Sequence, residues 1–526
     1  MNKYYYWVLV MGLSALMGCS SSVNKSTDIL QMRLGGEPSV LNPILSTDVP
    51  SSEVGGLIFD GLFHVNSDLQ LEANLITTYN VSEDHLVYTF SLKPDVKWHD
   101  GHPFTSEDVV FTFNKILDPS TNTVRRSNYI INQKPILFEA TGPLEVTVSL
   151  PQPFSPFLLH MGMGILPKHL LEGVDINTAT FNRQPVGLGP FKFHSWHSSQ
   201  FVRLKRNEDY HRGEVRVAEI IQKIIPDQNT ALVSLERGEI DRAGIPAKDV
   251  PRYRDQPELD IYEYYDLVYT YLGFNLKHPI FSNTQIRQAI AYALDRQIMI
   301  DSVLKGMGQE AHLPSSPLLW SYPEDDRIKK YAYNPEKSRA ILAQEGFVLN
   351  AKTGMLEKEG VPFKFTIITN KGNKDREKIC QLIQQFLKEV GIHVDIQLME
   401  WSAFLKVVNA YKDPKEYDAV VLGWSLGLDP DLYAIWHSSQ YPRGFNFIGY
   451  QNPQVDRLIE QGRQALQQST RREIYAQAYQ AITQDAGYVF LYIPQSIVGM
   501  NKRVKGLSKP GPAGLMNRIE EIYLVE

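Results

Sequence analysis

The sequence predicts a mixed α/β protein of two or three lobes. Three observations carry that reading. Some segments repeat apolar residues with period two and others with helical spacing, the two patterns alternate along the chain, and 526 residues exceed what one small core organises. No internal repeat or low-complexity block interrupts the alternation.

At the N-terminus, residues 4–17 are apolar apart from one serine and three tyrosines, behind a single positive charge at Lys3. That is the length of a signal-peptide core and short of the roughly 20 residues that cross a bilayer. Leu16-Met17-Gly18-Cys19 resembles a bacterial lipobox, which implies that residues 1–18 are removed and that Cys19 is lipidated as the mature N-terminus. An ordinary secretory signal with a chance cysteine is the alternative. Residues 20–27, mostly Ser, Asn, Lys and Thr, offer little to bury and read as a tether. The protein is then expected to be exported and lipid-anchored, in the periplasm or on the outer face of the cytoplasmic membrane, without spanning it.

With Cys19 lipidated, Cys380 is left without a disulfide partner and falls on the apolar face of a helical pattern, as core filler. The formal net charge of −6 is spread without long blocks, which favours neither nucleic acid nor an anionic surface.

Along the chain, residues 86–92 alternate as a half-buried strand and lead into turn chemistry at Lys93-Pro94-Asp95 and Asp100-Gly101. Thr105 and Asp108 have capping-box spacing ahead of an apolar run over 109–117. Residues 284–304 read as one long helix with Ile286, Ala289, Ile290, Ala293, Leu294 and Ile298 on its buried face. Asn334-Pro335 and Asn452-Pro453 each open a helix, an Asn cap followed by Pro at the first helical position. Residues 374–390 form a helix closed by Gly391, and 392–398 alternate as a strand. The Pro/Gly-rich stretches near 184–190 and 275–282 are the candidate domain boundaries.

Signatures of chemistry are sparse. There is no His-Glu-x-x-His and no Walker-type loop, and a hydrolase is the least favoured function. His99 and His102 have a spacing that suits metal ligands. No second Cys/His cluster lies near them in sequence, so they are read as turn residues with ordinary hydrogen bonds. No metal and no cofactor are expected.

Glu37-Pro38-Ser39-Val40-Leu41-Asn42-Pro43, the block over 88–113, Gly187-Leu188-Gly189-Pro190-Phe191, Asn207-Glu208-Asp209-Tyr210, residues 235–241, Phe274-Asn275-Leu276, residues 286–296 and residues 423–431 resemble, in order, segments of one family. It is the family of bacterial extracellular solute-binding proteins that includes oligopeptide-, dipeptide- and nickel-binding members. The resemblance implies a two-lobed periplasmic-binding-protein type II fold with an extra domain inserted in the first lobe. By analogy, lobe I takes 28–75, 185–275 and 490–526, the inserted domain 76–184, and lobe II 276–489. It also implies a monomeric receptor that hands its solute to an ABC permease, with no catalysis. Oligopeptide is the favoured solute, and an oligosaccharide, a metal complex or another non-peptide compound is the alternative.

The residues that the resemblance brings to the ligand are Glu37 and Ser39 from the first lobe, Tyr271 and Asn275 at the hinge, and Gly423, Trp424, Ser425, Leu426, Gly427 and Asp429 from the second. Trp401, Trp436 and Tyr492 join them as candidate pocket walls. Each has a plainer reading: Glu37 braces its own turn, Asn275 sets the hinge backbone, Asp429 is structural, and the aromatics fill core. One departure stands out. Peptide-binding members place an Asp three residues after the Trp of this segment, paired with the peptide's α-ammonium, and here that position is Gly427. The expectation is a receptor that does not clamp a free N-terminus there.

Overall fold

The computed structural model describes residues 28–323 and 326–526. The expected signal segment, Cys19 and the tether lie outside them. No helix among the described residues is long and apolar enough to cross a membrane.

One strand organises the molecule. Tyr488–Asn501 pairs through residues 495–501 with Leu259–Tyr265 and, near its end, Arg242–Gly244, and through residues 488–494 with Val268–Phe274 and Gly308–Glu310. Its first half-sheet continues outward through Ile29–Leu34, Glu219–Ile224, Phe201–Arg206 and Phe191–His197. The second continues through Ala419–Ser425, Lys364–Asn370 and His393–Met399. The strand is buried at both ends and half-exposed only at Pro494, Gln495 and Ser496, where it changes partners. Asp266 and Leu267, between Leu259–Tyr265 and Val268–Phe274, make the second crossing.

These pairings divide the sheet at 266–267 and 494–495, whereas the family analogy draws the lines at 275/276 and 489/490. Val268–Phe274 runs alongside Ala419–Ser425 over its whole length, and so it sits in the second half-sheet. The difference has a simple cause. The crossings fall inside extended runs, while the Pro/Gly-rich stretch over 275–282 is a loop beyond the strand.

The segment expected to be inserted carries its own antiparallel sheet, in the order Ile76–Val81, Val87–Leu92, Glu145–Ser149, Leu137–Gly142. Helix Ser106–Leu117 packs on it. Thr105 and Asp108 close the capping box, and Asp108 also accepts from the Trp98 indole at 3.3 Å. The core of this segment is continuous with that of the first half-sheet: Leu30, Phe90, Phe113, Val146 and Ile522 belong to one cluster.

The caps at Asn334 and Asn452 hold as the sequence predicts, and Lys374–Glu389 is followed by strand His393–Met399. The long helix over 284–304 does not form as one piece. Thr284–Ala293 ends at an extended Leu294, and Asp295 caps a second helix, Arg296–Val303, by accepting from Ile298 N at 2.9 Å. Ile298 is therefore 46% exposed, not on the buried face. An Asp inside a helical pattern offers its own cap, and here that local bond wins. Cys380 is fully buried, and burial pushes its thiol up to about 12.

The C-terminal segment is fastened by Arg503, which grips fully buried Asp241 through Nε at 2.8 Å and Nη2 at 2.7 Å and also donates to Ile29 O. Replacing Arg503 with Met is expected to cost about 3–5 kcal/mol, because Asp241 is left buried beside an apolar side chain. A drop in urea midpoint of that size would confirm it; a change within 0.5 kcal/mol, the scale of an ordinary surface substitution, would show that the pair carries no weight.

Candidate functional site: the cleft between the half-sheets

Helix Val49–Ile58 forms the cleft's first wall. Asp48 caps it through Ser51 N at 3.0 Å, and Ser39 donates its hydroxyl to the same carboxylate. The face left open carries Ser52, Glu53 and Gly56. Three cavities lie along it. One of about 490 Å³ sits on the hinge side, lined by Glu53, Arg242, Asp266, Asp375, Arg376 and Trp401. A second of about 620 Å³ lies at the far side and meets Leu426, Gly427 and Asp429. The third, about 470 Å³, lies within the first lobe and its insertion and shares Gly56, Asn128 and His160 with the second.

The opposite wall is strand Ala419–Ser425. On one side it is paired over its full length. On the other, Lys364–Asn370 pairs only with Ala419 and Val420, so residues 422–425 present a free strand edge. In the first half-sheet the chain at Gly35–Glu37 runs on past the end of strand Ile29–Leu34, and Gly35 lines the hinge-side cavity. The walls meet where a Cβ on Gly36 would lie 2.9 Å from Trp401 Cδ1. At the far end Ser155 bonds Arg463 O at 2.8 Å and Ala465 O at 2.6 Å, and Ser127 bonds Gln440 at 3.0 Å. Both ends are touching, so this is a closed form.

The hinge-side cavity is charged. Glu53 is open to the cavity's water while protein surrounds the cavity, and that enclosure raises its pKa. Burial likewise raises Asp266, and raises Asp375 to about 6. It lowers Arg33 and Arg376. Arg33 is satisfied by Ile225 O and Pro226 O, and Arg376 by Asn370 Oδ1 at 2.6 Å. Among the described residues, no carboxylate forms an ion pair with Arg242 or Arg376.

The structure sorts the expected residues. Trp401, Gly423, Trp424, Ser425, Leu426 and Gly427 lie along the second wall. Trp424 is half-buried, stacked parallel to Tyr271 at 6.5 Å, with its indole donating to Tyr488 Oη at 3.3 Å. Glu37 accepts from Trp196 Nε1 at 2.9 Å and Ser199 N at 2.7 Å, which is the bracing reading. Asn275 is buried and donates to Lys415 O and Tyr417 O. Asp429 is held by Arg471 through two bonds of 2.8 and 2.6 Å. Trp436 and Tyr492, expected as pocket walls, and Tyr271, expected to meet the ligand at the hinge, are all core, at 0, 3 and 0% exposure. Strand Val268–Phe274 is buried on both faces, so alternation gave no sign of which side met the ligand.

Glu53, Asp375 and Arg376 are absent from the sequence-based set. A signal existed for the last two. They open the helix that follows strand Lys364–Asn370, and the carboxyl ends of strands are where ligands bind in open α/β sheets.

Gly423-Trp424-Ser425-Leu426-Gly427 also has the spacing of a nucleophile elbow. The context differs from that motif. Ser425 ends a strand and is followed by a loop, with no helix before Tyr433–Trp436, and among the described residues no histidine bonds its hydroxyl.

Two half-sheets joined by two strand crossings, with a cleft between them walled by a free strand edge, define a two-lobed solute-binding protein. The chain belongs to the bacterial extracellular solute-binding proteins, family 5 (middle region), whose sequence profile matches residues 70–445. It is 35% identical to the oligopeptide-binding protein AppA of Bacillus subtilis, over 99% of this chain and 97% of that protein. The structure of AppA with a nonapeptide superposes with a TM-score of 0.90 at 34% identity, covering 95% of this chain and 99% of that one. NikZ of Campylobacter jejuni with Ni(L-His) gives 0.87 at 27%, covering 95% and 100%. The type II binding-protein fold is thereby established.

Two outcomes test the cleft. Gly36→Val should hold the walls apart at Trp401, lowering affinity for solute at least tenfold, about 1.4 kcal/mol, while leaving the melting temperature without solute within 2 °C. Asp375 keeps its proton to higher pH when folded, so the folded state binds more protons between pH about 4 and about 6, and stability declines across that window. Asp375→Asn should remove about 1–2 kcal/mol of that decline, allowing for water in the cavity. Urea midpoints from pH 4 to 7.5 read it, and parallel curves for the two proteins would show that Asp375 titrates normally.

Proposed function

We propose that the protein is the solute receptor of an ABC importer and takes oligopeptides in extended form. The observation that carries this is the free strand edge of residues 422–425, paired on one side only. An extended peptide laid along it adds a strand, and its own N–H and C=O groups supply bonds that do not depend on sequence. The cavities on either side leave room for side chains and ordered water. The peptide ligand of AppA supports the reading. The Ni(L-His) ligand of NikZ keeps a compact non-peptide solute as the alternative, and the charged hinge-side cavity suits it.

The role needs no catalysis. Solute enters the open cleft, closure buries it, and both lobes face the permease. Export and lipid attachment through Cys19 would keep a monomeric receptor at the membrane.

Gly427 lies in the far cavity with nothing within 4 Å of where a Cβ would be. Every carboxylate lining that cavity is already paired: Asp60 with His211, Asp429 with Arg471, Asp431 with Arg463, and Glu520 with Arg212. A peptide ammonium has no free partner there, so the receptor should accept peptides whose N-termini run on past the segment.

Thermal unfolding of the intact chain against peptides of several lengths, with free and acetylated N-termini, and against oligosaccharides tests this. A ligand bound only by the folded state raises the midpoint. Peptides should raise it, equally for both termini, and Gly427→Asp should create a preference for the free amine. Shifts with sugars alone would overturn the peptide reading. An unchanged terminus preference in Gly427→Asp would overturn the account of that cavity.

A further inference from the structure

We propose that Asp100, His102 and His169 form a binding site for a divalent transition metal, on the surface of the segment that carries the extra sheet. The sequence offers only part of it. His99 and His102 are close in the chain, and folding sends them in opposite directions. The His99 ring turns inward between Gly187 N at 3.1 Å and Gly189 O at 2.9 Å. Burial lowers its pKa to about 4, so it is neutral and occupied. His102 turns outward, and there it meets His169, which no sequence spacing announces.

The three groups are brought together by fixed backbone. Trp98 N bonds His102 O and Gly101 N bonds Trp98 O, both at 2.8 Å, in a tight turn that Gly101 completes at φ +92°. On the other side, Leu166 N bonds the Thr112 hydroxyl at 2.8 Å and Lys168 N bonds Asp108 Oδ1 at 2.9 Å, which seats the helix carrying His169 against Ser106–Leu117. The result is two imidazoles stacked at 4.1 Å and 20°, with one carboxylate reaching both. Asp100 Oδ2 is 2.8 Å from His169 Nε2, and Asp100 Oδ1 is 3.4 Å from His102 Nδ1. One donor atom from each residue lies within 4.8 Å of the other two.

That arrangement is close to a metal's needs. Ligand atoms about 2.0–2.2 Å from a tetrahedral Zn²⁺ stand roughly 3.3 Å apart. Each imidazole already lies close to one Asp100 oxygen, His169 to Oδ2 and His102 to Oδ1, and the three ligand atoms are within 4.8 Å of one another. The remaining side closes by turning His102, whose side chain is 59% exposed and free to rotate. Two imidazoles and a carboxylate, without thiolate, suit a borderline divalent ion such as Zn²⁺, with the last position left to water. A bound ion would tie the turn over 97–103 to the chain at 167–171. None of the three residues lines the cleft, so solute and metal would bind independently.

The test is calorimetric titration of the intact, untagged, chelator-treated chain with Zn²⁺. One ion per chain with a dissociation constant below about 100 µM is expected, near −5.5 kcal/mol or tighter. His102→Ala and His169→Ala should each weaken it at least tenfold and abolish the visible absorption bands that Co²⁺ gains in the parent. His393→Ala, at another surface His–Asp pair, should leave it unchanged. Both ring side chains are on the surface, and unchanged metal-free melting curves would show that the variants fold. No uptake below that concentration, or uptake that survives His102→Ala and His169→Ala, would overturn the site.

Discussion

Everything in this molecule depends on two strands that cross from one half-sheet to the other. Tyr488–Asn501 keeps a full ladder on either side of residues 494–496 and changes partners within them. Pro494 has no N–H to give, so the ladder is thinnest where the bend must occur. Two crossings hold the lobes together while leaving few bonds to break when they move. The strand is half-exposed at the crossing and buried on either side of it. A ligand then shifts the open–closed balance only by its different affinity for the two states.

The charged hinge-side cavity adds a reason for the empty protein to stay open. In the closed form Glu53, Asp375 and Arg376 are enclosed without mutual ion pairs, and burial pushes each of them toward its neutral form. Opening returns them to water. A solute that brings complementary charge or hydrogen bonds removes that cost in the closed state. Closure and binding are thus coupled through desolvation as well as contact.

What the sequence revealed followed locality. Caps at Asn334 and Asn452, the box at Thr105 and Asp108, and the helix over 374–389 are set by side chains a few residues from the backbone they satisfy. The break at Leu294–Asp295 is also local, but two local preferences compete there, and the periodic apolar face hides the cap. The wall residues over 423–427 were reachable through the family resemblance. Tyr271, Trp436 and Tyr492 were not separable from true wall positions, because aromatic residues serve core and pocket alike. Glu53 was invisible for the opposite reason: a charged residue on a helix face usually meets solvent, and only the tertiary fold encloses it.

In the proposed binding mode, the segment over 35–39 offers an extended ligand its backbone and not its side chains. Glu37 is spent on Trp196 and Ser199, and Ser39 on Asp48 and Ser51. Within residues 35–39 what remains open is Gly35 and the main chain beside it, with Ser52 and Glu53 on the neighbouring helix. The second lobe answers with main chain as well, over 422–425, and Gly423 keeps that edge low, since a Cβ there would lie 3.3 Å from Arg376 Nη2. Backbone edges read an extended chain and little of its sequence. Selectivity must then arise at the ends of the cleft, from the charges on the hinge side and from the absence of a free carboxylate beside Gly427. A receptor working in the proposed mode would rank its ligands by length and terminal charge before it ranked them by residue.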